Sequence, residues 1–294
     1  MTGIIRTANR ATGTDILKYG GRIPNVSRFF DAPAVEVDPY YANVSLLLPF
    51  EGSPEDPITG LTFEFTDYSS NNFYVYSFDA GAVISTDDPD FPLGALDISG
   101  SDYARLFADS GLITAAFAFG TGDFTWEGYC KIDNTSARRN LFRIGSTPSP
   151  SVALAVLEDT SAFPNQWILE YEWSGGSGGT FAVLGEAIVG VRQHVAVCRA
   201  GSNLRLFIGG TQLGPTITDS GDMSVAEPVE HGAHISGSLI PSNRYFDGRI
   251  SWVRITKGVA RYTSNFTPPV PPFYYPPGAG GGGGGGGGDG GGGA

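Results

Sequence analysis

Cysteine is nearly absent: Cys130 and Cys198 are the two in 294 residues. So low a number excludes a disulfide framework. Their places in two separate strand-like runs, EGYCKI and VAVCRA, read as thiols in or near a core. Charge is scarce as well. Only 16% of residues are charged, against about 25% in an ordinary globular protein. The 18 basic residues are outnumbered by 30 acidic ones, a net of −12, which excludes an overall cationic grip on nucleic acid. Long apolar runs are missing: Val44 to Phe50 and Ile113 to Phe119 are strand-sized, far short of the ~20 residues of a membrane span. After Met1 the residues TGIIRTANRATG hold no apolar stretch of a secretory signal. A soluble protein made in a reducing cytosol is therefore expected, without membrane insertion. No segment sustains a 3.6-residue apolar period over ten or more residues, which argues against a helical bundle.

What the chain does hold is glycine (43), proline (20) and aromatic residues (12%), the composition of a turn-rich all-β protein. From about Val44 to Phe273, short runs of β-branched, aromatic and leucine residues alternate with clusters of Gly, Pro, Asn, Asp and Ser. About a dozen strands are expected, among them residues 43–50, 61–65, 72–78, 123–132, 140–145, 151–157, 166–173, 192–200, 203–210 and 244–256. In LRLFI the period is two: Leu204, Leu206 and Ile208 share one face, Arg205 and Phe207 the other, as in a half-buried antiparallel strand. So many strands over one continuous stretch point to a single two-sheet jelly roll rather than an immunoglobulin-like domain of ~100 residues.

The two ends differ from this body. Residues 1–37 form a basic arm: five basic residues against one acidic give +4 over the first thirty positions, leaving −16 for the rest. Such an arm is a solvated tail or a tether that orders on a partner. At the other end, residues 274–294 follow a proline-rich exit with uninterrupted glycine from Gly280 to Gly288. The period is not Gly-X-Y, so collagen is excluded. A flexible coil is the simpler account, and packing of glycine strands from several chains the alternative.

A search for chemistry returns little. Glu170 and Glu172 are two apart on one strand, with Trp167, Leu169 and Tyr171 on the opposite face, so they read as the solvent side rather than a catalytic pair. His194 is the one nearby base for a cysteine and is as easily a packed histidine. Glu230-His231-Gly-Ala-His234 places two imidazoles three apart at a glycine turn, without further ligands for a metal. No phosphate loop, nucleophile elbow or dinucleotide fingerprint occurs in a strand-to-helix context. The chain is expected not to be an enzyme.

The run FDGRISWVRITKGVARYTSNFTPPVPPF (246–273) resembles the closing segment of concanavalin A-like, laminin-G-like jelly-roll domains of bacteriophage virion proteins. DPYYANVSLLLPFEG (38–52), GDFTWEGYCKI (122–132) and RQHVAVCRAGSNLRLFIGG (192–210) resemble the family's opening strand, its Asp-Phe-Thr strand and its His-Val-Ala-Val hairpin, in the family's order. The resemblance implies a sandwich of two antiparallel sheets over 38–273. It also implies a virion structural protein, assembled in the host cytoplasm and exposed on the extracellular particle. The leading expectation is a tail-fibre or adhesin component, multicopy or homo-oligomeric, that binds host-surface glycans. A capsid decoration protein held to other virion proteins by its arm is the alternative, and a glycan depolymerase a minor one. Trp252 and Gln193 depart from the family's usual residues, and Leu61 to Ser77 is unusually aromatic. Sugar binding needs flat aromatics facing solvent, for which Tyr129, Trp173, Phe207 and Trp252 are the candidates if they point outward. No cofactor is expected. Asp87, Asp88 and Asp90 share a loop and could offer Ca2+ its oxygen ligands, but without the ligand count they read as solvated turn acids.

Overall fold

In the computed structural model, the described residues are 38–51, 64–78, 82–99, 103–107, 110–135, 139–145, 151–157, 165–172, 180–224, 229–231 and 245–271. The arm 1–37, Trp173, His234 and the glycine tail lie outside them. The chain divides into Met1–Glu36 and Val37–Ala294, and the strands among the described residues belong to the second unit.

The strands are β1 (Val44–Leu48), β2 (Glu64–Thr66), β3 (Tyr74–Phe78), β4 (Val83–Ser85), β5 (Ala95–Ile98), β6 (Tyr103–Phe107), β7 (Phe124–Ile132) and β8 (Arg139–Gly145). Then come β9 (Ser151–Leu157), β10 (Gln166–Glu172), β11 (Thr180–Glu186), β12 (Gln193–Ala200), β13 (Asn203–Ile208), β14 (Thr211–Thr218), β15 (Val229–His231) and β16 (Gly248–Lys257). They form two eight-stranded antiparallel sheets, as the sequence pattern predicts. Sheet A runs β14-β13-β12-β7-β16-β5-β4, with β1 also on β16, and sheet B runs β11-β10-β9-β8-β15-β6-β3-β2.

The core lies between the sheets and follows from two-residue alternation. On β7, Phe124, Trp126, Cys130 and Ile132 face inward, and on β12 Val195 and Val197 do. From sheet B come Phe142, Ile144, Val152, Leu154, Trp167 and Leu169. Trp126 stacks on Phe142 across the sandwich, with ring centroids 4.2 Å apart. Both cysteines are buried and unpaired. Burial pushes the Cys130 thiol up, and burial, eased by a hydrogen bond with Thr125, pushes Cys198 up to about 12. Neither is a thiolate nucleophile at neutral pH.

The run Ile113 to Phe119, read from sequence as strand-sized, contributes instead to α1 (Ser110–Phe117). Its Ala116 and Phe117 are buried, and Phe117 packs on Phe73 at 5.7 Å. An eight-residue helix is shorter than the window in which a 3.6 period can be recognised. His231, read as part of a glycine turn, lies in β15 between β6 and β8.

One long strand organises sheet A. β16 pairs along its whole length with β7, while its other edge is shared by β5 (248–250) and β1 (253–256). Where it changes partner the register shifts between Ser251 and Arg254, and Trp252 takes φ +52° with its N–H on the Pro49 carbonyl. This bulge sends Trp252 away from the main core into a cluster with Val44 and Leu47, while Val253 stays in it.

Candidate functional site

The outer face of sheet A is not free surface. After β16 the chain turns back as a strap, Gly258 to Pro271, along β7, β12 and β13. Thr125 Oγ1 donates to the Val259 carbonyl and accepts from the Arg261 N–H, at 3.0 and 2.9 Å. The Phe266 N–H donates to the Gly210 carbonyl, and the Tyr129 hydroxyl to that of Pro269. Gly210 has φ +79°, and a Cβ there would lie 2.0 Å from the Phe266 carbonyl oxygen, so this approach requires glycine. Tyr262 and Phe266 stack at 3.5 Å and cover Ala196, Cys198 and Phe207.

Under the strap lies a charged network. Glu127 on β7 is fully buried; its Oε1 accepts from Arg254 Nε at 2.9 Å, and its Oε2 accepts from the Tyr262 hydroxyl at 2.8 Å and faces His194 Nε2 at 3.2 Å. Arg254 also donates to Asp38, which Arg261 grips with both terminal nitrogens. Burial would raise the Glu127 carboxyl, but Arg254, His194 and Arg261 outweigh it and hold the group well below the usual carboxylate range. Asp38 is held down in the same way, burial being outweighed by Arg261 and Arg254. The acid and both cations are enclosed by one another, so this cluster is a fastening for the strap.

Three of the four sequence candidates for sugar stacking sit on this face, and the strap alters them. Phe207 does lie opposite Leu204 and Leu206, as its period predicts, but it is 0% exposed because Tyr262 and Phe266 cover it. Trp252 is 2% exposed among Val44 and Leu47. Neither faces outward, which corrects that expectation. Tyr129 is half-buried, its hydroxyl on Pro269 and its ring under the Arg192 guanidinium at 4.0 Å. The loop acids are not simply solvated either: Asp88 is buried, bonded by Lys131 and approached by Arg249, and Asp90 also accepts from Lys131. These cations already neutralise the charge that Ca2+ would meet. Among the described residues no cluster of His, Cys, Asp and Glu is suited to a metal ion.

Sheet B offers the contrasting outer face. At the start of β3, Phe73 just before the strand and Val75 within it are buried, whereas Tyr74 between them is 70% exposed. Among the described side chains of the strands it is the large aromatic most open to solvent. Its register partners are Thr66 on β2, also exposed, and Phe107 on β6. The adjoining row runs across the sheet through Glu64, Tyr76, Arg105, Glu230, Arg143, Ala153, Glu170 and Phe181. Arg143 is buried, its Nε donating to the Gly145 carbonyl at 2.9 Å. Asn140, in register with Ala155, is fully buried with neither amide atom hydrogen-bonded. A buried amide in that state holds donor and acceptor capacity for a water or a ligand hydroxyl. Glu170 and Glu230 share the row at three strand spacings, about 14 Å between their backbones.

The sandwich, its strand order and its wrapped closing segment define a class. Residues 100–261 match the concanavalin A-like lectin/glucanases superfamily, and the chain belongs to it. Among solved structures it is similar to domain 4 of AbnA, a GH43 extracellular arabinanase from Geobacillus stearothermophilus, in complex with arabinotriose: 13% identity, 74% of this chain and 95% of that one, TM-score 0.47. The Ruminococcus gnavus IT-sialidase CBM40 gives 15% identity, 57% and 91% coverage and a TM-score of 0.45. Botulinum neurotoxin type C, whose cell entry depends on two ganglioside molecules, gives 12%, 75% and 49%, and 0.49. At these identities the likeness carries nothing about ligands. No curated protein sequence matches the chain significantly.

Proposed function

We propose that this domain is a glycan-binding module without hydrolytic activity, and that it takes sugar on the outer face of sheet B with Tyr74 as stacking platform. The exposed Tyr74 ring on a strand of the lectin-type sandwich carries this reading. An aromatic face stacks on the apolar face of a sugar ring, and polar neighbours take its hydroxyls.

On a glycan array the full chain is expected to give specific signals, and Tyr74→Ala to lose about tenfold in affinity, the equivalent of ~1.4 kcal/mol for one stacking contact. Because Tyr74 is mostly solvent-exposed, the melting temperature should stay unchanged. No signal on the array would sink the reading, and release of reducing ends from a bound polysaccharide would overturn its non-hydrolytic part.

The resemblance of residues 246–273 to phage jelly rolls supports a finer proposal: an adhesin in a bacteriophage tail fibre, displayed on the virion in many copies whose weak contacts reinforce one another. A second reading, a structural or capsid-decorating component packed against neighbouring subunits, is favoured by one feature. The loop before β12 exposes Ile188 (52%), Val189 (37%) and Val191 (49%). It is also pinned in place: the Gly190 N–H donates to Ile132, and Gln193 Nε2 to Ile188 and Val191. Apolar side chains held rigidly in solvent mark a contact surface. Ile188→Asp with Val189→Asp is expected to shift the chain toward monomer in sedimentation without loss of fold, and an unchanged distribution would remove this reading.

A further inference from the structure

A cleft of about 510 Å³ opens where β1, the loop before β3, α1 and the end of β16 meet. We propose that it is a second binding site, one that takes a neutral, hydroxyl-rich sugar unit. It rests on the glycan-binding reading for its ligand class, and is a separate surface from that around Tyr74.

The wall is built from carboxamides that each spend one N–H on the wall itself. Asn43 Nδ2 donates to the Lys257 carbonyl at 3.2 Å, and Asn71 Nδ2 to the Ser45 carbonyl at 2.9 Å. A carboxamide is planar with its oxygen opposite its nitrogen, so fixing each NH2 on the wall turns each Oδ1 away from that bond. Two acceptors are thereby set in fixed positions in the cleft lining.

The floor adds to this pattern. The last carbonyls of an α-helix have no partner within it, and two of those in α1 border the cleft. Ala115 O accepts from Lys257 Nζ at 2.6 Å and Ala116 O from Ser45 Oγ at 2.9 Å. Lys257 has two further protons to donate. Leu112, 60% exposed, supplies an apolar patch beside these polar groups.

Together the lining offers fixed acceptors, donors from one ammonium and from the second N–H of each carboxamide, and a small apolar surface. Ring hydroxyls, which both donate and accept, match the first two, and ring C–H groups match the third. An anion matches less well. It would meet two carboxamide oxygens and the negative end of a helix dipole, with a single lysine already bonded to a carbonyl to offset them. The volume lies within the ~300–1,000 Å³ of small-molecule sites.

The loop that forms one wall is held independently of any ligand. Asp67, buried, accepts from the Leu47, Ser69 and Phe73 N–H groups and from the Ser69 hydroxyl. The cleft is therefore preformed, and its occupation needs little reordering of the chain.

The test is saturation-transfer NMR and calorimetry on the full chain. The probes are glucose, galactose, mannose, N-acetylglucosamine and lactose, set against glucuronate and sialyllactose. Neutral sugars are expected to bind and the acidic ones to bind at least tenfold more weakly. Ala115→Trp fills the cleft from an exposed position without removing any of these hydrogen bonds, and Ser70→Trp fills it from the opposite wall. In a Tyr74→Ala background, which leaves the cleft as the remaining site, each should weaken neutral-sugar binding at least tenfold with the melting temperature kept. Absence of binding by any neutral sugar, preference for the acidic sugars, or indifference to both filling variants would overturn the proposal. If Tyr74→Ala alone abolishes binding, the cleft proposal falls while the glycan-binding reading stands.

Discussion

Glu127→Ala is expected to cost about 3–5 kcal/mol of folding stability, the range for removing one partner of a buried ion pair. The reason is what remains. Arg254 is 4% exposed and would lose its bond to Glu127, leaving it to share Asp38 with Arg261, which draws on the same carboxylate. The Tyr262 hydroxyl and His194 Nε2 would lose their acceptor in a site the strap closes to water. Tyr262→Phe removes a single hydrogen bond to a charged group and should cost less, about 1.5–3 kcal/mol. Urea titration followed by tryptophan fluorescence measures both. Limited proteolysis adds a local readout: if Glu127 fastens the strap, cleavage between Gly258 and Pro271 should accelerate in Glu127→Ala before the sandwich unfolds. A loss below ~1 kcal/mol with unchanged proteolysis would show that the ion cluster does not hold the strap.

That cluster also marks where the sequence stops being legible. Strand positions come through well: residues 151–157 form β9 as expected, and 123–132 and 166–173 each lie within one residue of β7 and β10 at either end. Period-two alternation and turn residues act locally, so a single sequence displays them. Glu127, by contrast, carries no mark of its role in EGYCKI: alternation opposite to Trp126 and Cys130 puts it on the outer face and says nothing of its burial. That burial depends on Tyr262, 135 residues later. Phe207 fails for the same reason through Phe266. Trp252 fails through the β16 bulge, where the register shift and a left-handed backbone break the alternation. Six strands are not singled out by the sequence, β4, β5, β6, β11, β14 and β15; of these β4 and β15 have three residues each and β5 four, too few to show a period, and β14 contains Gly214 and Pro215. Tyr74 was within reach. The alternation Phe73, Tyr74, Val75 gives its direction, but an aromatic-rich run draws the eye to the core. The carboxamide-lined cleft could not be seen, because its walls come from four places in the chain.

Acid should unfasten the strap, with a window that is set by the signs of the shifts. Glu127 and Asp38 are held below their ordinary values, so each contributes stability that is complete above the unfolded carboxylate pKa, about 4. That contribution is lost as pH falls through the folded-state values, which lie lower. Asp67 runs the other way. Burial raises its carboxyl despite four hydrogen bonds, so its folded form takes up a proton more readily than the unfolded chain does. As pH falls from neutral toward about 5, Asp67 therefore contributes a small gain, and Asp97, also raised by burial, adds to it. Below about 4 the loss from Glu127 and Asp38 dominates, because both have ionic partners inside the fold whose charges persist after the carboxylates are protonated. The urea midpoint is expected to hold or rise slightly down to about pH 5 and then to fall steeply, and raised ionic strength should change that fall little because the pairs are shielded from solvent. Glu127→Gln, which keeps the shape without the titrating group, should start from a lower midpoint and show a shallower acid limb. An acid limb as steep in Glu127→Gln as in the parent chain would place the acid sensitivity outside the strap.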